Sequence, residues 1–315
     1  MPPERPIRAV LIAGPTASGK SALALALATR FGGVVANADA SQVYADLRVL
    51  TARPDEADEA VAPHALYGHV DAAEPYAVGR WLQEATGLLD RISTRSSQAF
   101  PQARPPVFVG GTGLYFEALT GGLAAVPEIP EAVRAHWRAH PAEGLHEELR
   151  RRDPVMAARL RPSDPQRLTR ALEVVDATGR SLADWQKETA PGPLAPEDAL
   201  LVALAPERAW LRERIGLRLD TMIAAGAVEE AERLDARGLD PALPAMKALG
   251  VRPFAACARG EIALDEAIAR TRLDTGRYAK RQSTWFRNRM AGWLHVAPGE
   301  ALAVAEAEIA RRGLS

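Results

Sequence analysis

Eight residues, Gly14-Pro15-Thr16-Ala17-Ser18-Gly19-Lys20-Ser21, have the types and the G-x-x-x-x-G-K-S spacing that cradle phosphate. Glycines let the backbone approach closely, so N–H groups at a helix N-terminus can point at phosphate oxygens. Lys20 supplies a mobile cation for the terminal phosphates. The Ser21 hydroxyl is placed to ligate a phosphate-bound Mg²⁺. The pattern specifies a site for a di- or triphosphate without saying what is done there. A chance glycine-rich turn is the plain alternative, and the flanking residues argue against it. Ala9–Ala13 is an apolar strand pattern, and an Ala/Leu-rich helical run follows from Ser21 to about Arg30.

Two further constellations fall at strand ends, where ligands gather in parallel α/β sheets. Val34 to Asp39 is a short strand pattern ending on a carboxylate. Asp39 could serve as a general base, as part of a metal shell, or simply as the cap of a following helix. Pro105 to Val109 makes a third strand pattern and runs into Gly110-Gly111-Thr112-Gly113-Leu114-Tyr115. That turn offers a second close backbone approach and the Thr112 hydroxyl. It lacks the acid that a hydrolytic P-loop enzyme uses to hold Mg²⁺ and its water, which weakens an ATPase or GTPase reading. Leu200–Leu204 is a fourth strand pattern, and Gly292–Val296 a plausible last one. Residues 51–64 are polar and proline-punctuated, as expected of a mobile surface loop, and Tyr76–Asp90 has helical spacing.

From about Phe116 to Asp198 the strand patterns vanish, and Arg/Glu/Ala-rich helical segments alternate with prolines. The texture is that of a helical insertion carried by an α/β core. Within it Asp164 is a cap candidate, Pro165 falls in the first turn, and Gln166 and Arg170 share one face. Such a face is usually solvated; contact with RNA or phosphate is the sharper reading. Arg270 to Arg289 is the most basic helical stretch, interleaved with Tyr278, Trp285 and Phe286. Basic residues mixed with aromatics suit a single-stranded nucleic-acid surface.

The whole chain sets bounds on these readings. It has 315 residues, 47% hydrophobic and 25% charged, and a formal charge of −1, which argues against non-specific coating of nucleic acid. Cys257 is the lone cysteine, so disulfides within the chain and cysteine-based zinc modules are excluded, and a buried apolar role is expected for it. His136, His140 and His146 lack the acidic partner of a metalloprotease-type zinc site. No leader or membrane-spanning run is evident, and a cytoplasmic protein is expected.

Taken together, Gly14–Ser21, Asp39–Tyr44, Val109–Tyr115, Asp164–Glu173 and Tyr278–Arg287 occur in an order that resembles the bacterial tRNA dimethylallyltransferases, or tRNA isopentenyltransferases. The likeness runs from about Arg8 to Trp293. It implies an α/β fold: a P-loop NTPase-like parallel sheet flanked by helices (residues 1–115 and 199–315), with an all-helical insertion domain (116–198) that grips a tRNA anticodon stem-loop. It implies transfer of a five-carbon allyl group from dimethylallyl diphosphate to the exocyclic amine of the adenosine 3′ of the anticodon. The catalytic residues it implies are Asp39 as base, with Lys20, Thr112 and Arg218 stabilising the departing diphosphate beside Mg²⁺ at Ser21. It implies diphosphate binding by Gly14-Pro15-Thr16-Ala17-Ser18-Gly19-Lys20-Ser21. It implies tRNA contact by Asp39-Ala40-Ser41-Gln42, Thr112, Arg134, Gln166-Arg167-Leu168-Thr169-Arg170 and Arg281, with Gln42 reading the flipped base. A monomer is expected.

The chain departs from the family pattern at four places. Ala40 stands where the family has serine, so a hydrogen bond from that serine is expected to be missing. Arg53 replaces a lysine, Leu249–Pro253 diverges from the usual segment, and so does the stretch after His64. Three rivals share parts of the pattern: a P-loop kinase of a small metabolite, an allyltransferase of free adenine nucleotides, and a non-catalytic RNA-binding module. The kinase leaves the basic-aromatic helix unexplained. Intact Lys20, Ser21 and Asp39 argue against the non-catalytic module.

Overall fold

Ala9–Ala13 (β1) reads Ala-Val-Leu-Ile-Ala and is buried throughout. A continuous apolar strand of this kind must be covered on both faces, which is the condition of a parallel sheet between helical layers. The computed structural model describes residues 5–93 and 105–314. In it β1 is joined by Val35–Asn37 (β2), His64–Ala65 (β3), Val107–Gly110 (β4), Ala199–Leu204 (β5) and Leu294–Val296 (β6). All pairings are parallel, in the order β3-β2-β4-β1-β5-β6, with Ile12 paired to Val109 on one side and Val202 on the other. The strands that follow β1 lie first on one side of it and then on the other. Such a reversal opens a crevice at the carboxyl ends of the strands, where the phosphate-loop pattern and Asp39 both fall.

The core unit carries helices Lys20–Phe31 (α1), Glu56–Val61 (α2), Val78–Ser93 (α3) and Gly113–Gly121 (α4). The insertion contributes Glu131–Ala139 (α5), Ala142–Arg152 (α6), Pro154–Arg159 (α7), Pro165–Thr178 (α8) and Leu182–Lys187 (α9). Arg208–Ala224 (α10), Ala227–Asp235 (α11), Val251–Ala258 (α12), Leu264–Arg289 (α13) and Ala301–Arg312 (α14) complete the core. Side chains alternate across β1. Leu11 and Ala13 join Trp81, Phe108, Phe116, Phe254 and Phe286 in one apolar layer, whereas Val10 and Ile12 join Leu23, Leu27, Ala305 and Ile309 in the other.

The chain divides into two compact units, residues 1–120 with 194–315, and residues 121–193. The second has its own apolar centre, built from Trp137, Leu145, Leu149, Leu168 and Leu172. Phe116–Thr120 and Leu194–Asp198 therefore belong to the core unit. Leu194 N–H donates to the Leu119 carbonyl at 3.2 Å, which brings the two ends of the insertion together. In α8, Asp164 accepts from Arg167 N–H at 3.2 Å and Pro165 occupies the first turn, as the capping pattern predicts.

Residues 51–64 differ from the expected mobile loop. Asp55 caps α2 by accepting from Asp58 N–H at 2.9 Å, and His64 pairs with Val35 in a sixth, two-residue strand. Neither element is long enough to leave a periodic apolar pattern. The terminal helix α14 was also not expected; it covers one sheet face through Ala301, Ala305 and Ile309. Among the described residues, no helix is long and apolar enough to cross a membrane.

Candidate active site

The loop after β1 is shaped by two left-handed residues, Ala17 at φ 63° and Gly19 at φ 85°. Left-handed residues alternating with right-handed ones turn successive N–H groups inward, forming a concavity for an anion. Ala17 holds this conformation against the steric cost of its β-carbon, a form of strain that concentrates at functional sites. Lys20 opens α1 and is buried, with Nζ 3.5 Å from the Pro15 carbonyl. Burial and the Arg218 guanidinium bring its ammonium pKa down to about 8, opposed by the Asp39 carboxylate. Ser21 is exposed beside it.

Lys20 and Asp39 line one cavity of about 320 Å³ in the core unit, together with Thr16, Arg218, Tyr278 and Arg281. This is within the roughly 300–1,000 Å³ of small-molecule sites. The charged residues on its wall are four cations, Lys20, Arg218, Lys247 and Arg281, and one acid, Asp39. The apolar part comes from Leu50, Leu249 and the α10 face Ile215, Leu219 and Met222. Their i, i+4, i+7 spacing puts these three on the same side of the helix as Arg218. Burial lowers the Arg218 pKa, and Asp39 opposes that shift. Its guanidinium donates to the Thr51 carbonyl at 3.3 Å.

Asp39 is held through its backbone and through Oδ1. Asn37, fully buried at the end of β2, accepts from Asp39 N–H at 2.8 Å and donates to the Asp39 carbonyl at 3.0 Å. The same amide donates to the Leu66 carbonyl at 3.0 Å. Ser41 donates to Asp39 Oδ1 twice, from its hydroxyl at 2.7 Å and its N–H at 3.0 Å. Ala40 has no hydroxyl to offer, but the turn brings the Ser41 hydroxyl back over the carboxylate. Oδ2 takes part in neither of these bonds.

Other sequence-singled residues take different places. Thr112 Oγ1 accepts from Ala40 N–H at 3.0 Å and so backs the Asp39 turn, an acceptor role that leaves its O–H free to donate. Gln42 lines the cavity, but its Nε2 donates to the Thr51 and Ala52 carbonyls at 2.9 Å each. Its Nε2 thus holds the 51–52 loop, and neither bond uses the carboxamide oxygen. Gln166, Arg167 and Arg170 are exposed and Arg134 is half-buried in the helical unit. Leu168, placed with them by the motif, is fully buried in that unit's core, since its position on α8 faces α6 rather than solvent. Its side chain is therefore unavailable to RNA. Thr169 is half-buried.

Asn37, Glu230 and Gln282 were not anticipated as site-shaping residues. Buried Glu230 on α11 accepts from the N–H groups of Arg48, Val49 and Leu50 at 2.7–2.8 Å and so sets the loop that carries Thr51. Gln282 on α13 is buried and links the phosphate loop to the Gly111 turn. Asn37 stands out only as a polar residue in an apolar run, and Glu230, beside Glu229 and Glu232, and Gln282, beside Ser283 and Thr284, carry no distinguishing signal in the chain.

Sheet order, phosphate loop and cavity define a P-loop α/β protein with a cation-rich pocket facing a carboxylate. Comparison narrows this class. The IPP transferase family model matches residues 42–289, and the isopentenyl transferase model residues 7–61. A tRNA dimethylallyltransferase of Bradyrhizobium sp. (strain ORS 278) is 54% identical over 298 residues, covering 93% of this chain and 94% of its own. Another, of Methylobacterium radiotolerans, is 54% identical over 308 residues, covering 95% and 97%. The full-length tRNA isopentenylpyrophosphate transferase of Bacillus halodurans superposes with a TM-score of 0.69 at 29% identity, over 98% of this chain and 97% of that one. A eukaryotic dimethylallyltransferase acting on tRNA shares the fold, with a TM-score of 0.81 at 24% identity, over 98% of this chain and 81% of that one. The chain belongs to the IPP transferase family and is an enzyme of the prenyl-transferring class.

Proposed function

We propose that this chain transfers a dimethylallyl group from dimethylallyl diphosphate to the exocyclic N6 amine of the adenosine immediately 3′ of a tRNA anticodon, releasing diphosphate. The observation that carries the reading is one carboxylate facing four cations and an apolar wall in a single cavity. An allylic diphosphate has both parts, an anionic leaving group and a hydrocarbon tail. Its carbon–oxygen bond breaks as the new carbon–nitrogen bond forms, with positive charge developing on the allyl carbons and negative charge on the departing oxygens. The N–H groups of the phosphate loop, Lys20 and Arg218 stabilise the oxygens. The amine proton goes to Asp39, at Oδ2, because Ser41 occupies Oδ1.

The donor set suits a Mg²⁺ carried in on the diphosphate. The described residues contain no cluster of three His, Cys, Asp or Glu, and Mg²⁺ held largely by phosphates and water needs only one or two protein oxygens. The exposed Ser21 hydroxyl would hold it, and there it would neutralise charge on the leaving group. The helical unit, through Arg134, Gln166, Arg167 and Arg170, holds the anticodon stem-loop, and the enzyme works as a monomer in the cytoplasm, where tRNA is met.

The test is transfer of labelled dimethylallyl diphosphate into an unmodified anticodon stem-loop, with Mg²⁺ present and ATP absent. Wild type is expected to label the RNA, and Asp39→Ala to lose roughly 10²–10⁴-fold in rate. Folded, RNA-binding wild type that labels nothing, or that turns ATP into ADP instead, sinks the reading.

A further inference from the structure

Gln282 lies on the buried face of the otherwise basic helix α13, with Thr271, Ala279 and Phe286, and is only 6% exposed. Burying a carboxamide is unfavourable unless both of its ends are bonded. Both are. Oε1 accepts from Thr16 N–H at 2.9 Å and Nε2 donates to the Gly111 carbonyl at 2.9 Å, so the orientation of the amide follows from its partners. Thr16 belongs to the phosphate loop, and Gly111 to the turn after β4. These segments and α13 are separated by 171 and 266 residues in the chain.

The Gly111 turn also backs the carboxylate. A β-carbon on Gly111 would lie 2.1 Å from Gln282 Nε2 and 3.1 Å from Asp39 Oδ2, so its bare backbone is in contact with both groups. On either side of it, Gly110 is pressed against the Ala38 carbonyl, and Thr112 exchanges bonds with the same segment, N–H to the Ala38 carbonyl at 3.2 Å and Oγ1 from Ala40 N–H at 3.0 Å. A continuous set of short contacts therefore runs from the leaving-group cradle through Gln282 to the wall behind Asp39.

We infer that Gln282 is a positioning residue for group transfer, whose carboxamide sets the separation between the diphosphate cradle and the accepting carboxylate. The inference rests on the proposed reaction. In that reaction leaving group and base act on opposite sides of one bond-forming centre, and a displacement of about 1 Å can cost roughly 100-fold in rate. Because Gln282 takes the Thr16 N–H and not a ligand, its loss leaves the anion-binding N–H groups in place.

The experiment compares Gln282→Met, which keeps the length and removes both bonds, with Gly111→Ala, which intrudes on the amide from the other side, and with the double variant. Three quantities are read: single-turnover transfer to the stem-loop, affinity for inorganic diphosphate with Mg²⁺ by calorimetry, and thermal midpoint. Each single variant is expected to lose at least tenfold in transfer while diphosphate affinity stays within about threefold of wild type. The double variant is expected to be no worse than the poorer single one, because both act on one contact. Transfer by Gln282→Met within threefold of wild type overturns the inference, as does a loss of transfer matched by loss of diphosphate affinity or of folding. Should Gln282→Met not fold, Gln282→Asn, which shortens the link by one methylene without touching Asp39, is read for the same split between rate and affinity. Failure of the reaction itself is separate: wild type would then transfer nothing.

Discussion

At the scale of single residues, the site depends on charge held at a strained cost. Lys20 keeps its proton less tightly in the fold than in the unfolded chain, about 8 against 10.5, because it is buried beside Arg218. Between those values the unfolded chain binds more protons, so stability rises with pH across that window, and below about 8 the group carries its full penalty of roughly 3 kcal/mol. Lys20→Met is therefore expected to melt higher than wild type at pH 7, with the difference shrinking toward pH 10. Bound diphosphate favours the ammonium, so wild-type diphosphate affinity is expected to weaken as pH rises through about 8 and the Lys20→Met affinity to be weaker throughout and flat there. Calorimetric titrations at pH 7 to 9.5 check both. Ser41→Ala removes the 2.7 Å bond to Asp39 Oδ1. It is expected to lower the transfer rate by about tenfold, leaving diphosphate affinity unchanged, since only the base loses its orientation.

At the scale of elements, helices on the cavity side act through buried polar residues. Glu230 on α11 satisfies three consecutive N–H groups of the 48–50 loop. That loop presents the Thr51 carbonyl, which receives Arg218 at 3.3 Å and Gln42 at 2.9 Å. Glu230→Ala is expected to lower stability by about 3 kcal/mol, the cost of stranding buried donors. It should also raise the KM for dimethylallyl diphosphate more than it lowers kcat, because Arg218 loses its rest. Denaturant titration and steady-state kinetics read the two effects separately. No change in KM would detach Arg218 from this loop.

At the scale of the molecule, the helical unit has its own apolar centre, and its ends meet where Leu194 N–H reaches the Leu119 carbonyl. Replacing residues 121–193 by a short glycine linker is expected to leave a folded core that still binds diphosphate near the wild-type affinity. Transfer to a stem-loop should be lost, with its RNA affinity. Within the full chain, Arg170→Ala is expected to reduce the salt dependence of RNA binding by about 0.7 in slope, the share of one phosphate contact to a single strand. Undiminished transfer by the shortened core would remove the helical unit from RNA binding.

The phosphate loop, the apolar β1, the carboxylate at the end of β2 and the cap of α8 were legible in the chain because each is a local pattern. Glycine spacing, an unbroken apolar run and an Asp-Pro helix start act over a few neighbouring residues. The two-residue β3, the short α2 and the terminal α14 were not, the first two because they are shorter than any period that betrays an element. The partners of Thr112 and Gln42 and the burial of Leu168 were not legible for a different reason. A motif names residue types, whereas the partner of a hydroxyl or an amide is whatever backbone group tertiary packing brings within 3 Å. Gln282 shows this most directly: it follows the exposed Lys280 and Arg281 in a basic stretch, and its bonds go to loops 171 and 266 residues away. The chain alone gave a phosphate-loop pattern and a carboxylate, each at the end of a strand. Only the folded structure, by closing those distances, decided which side chains fix the gap between them.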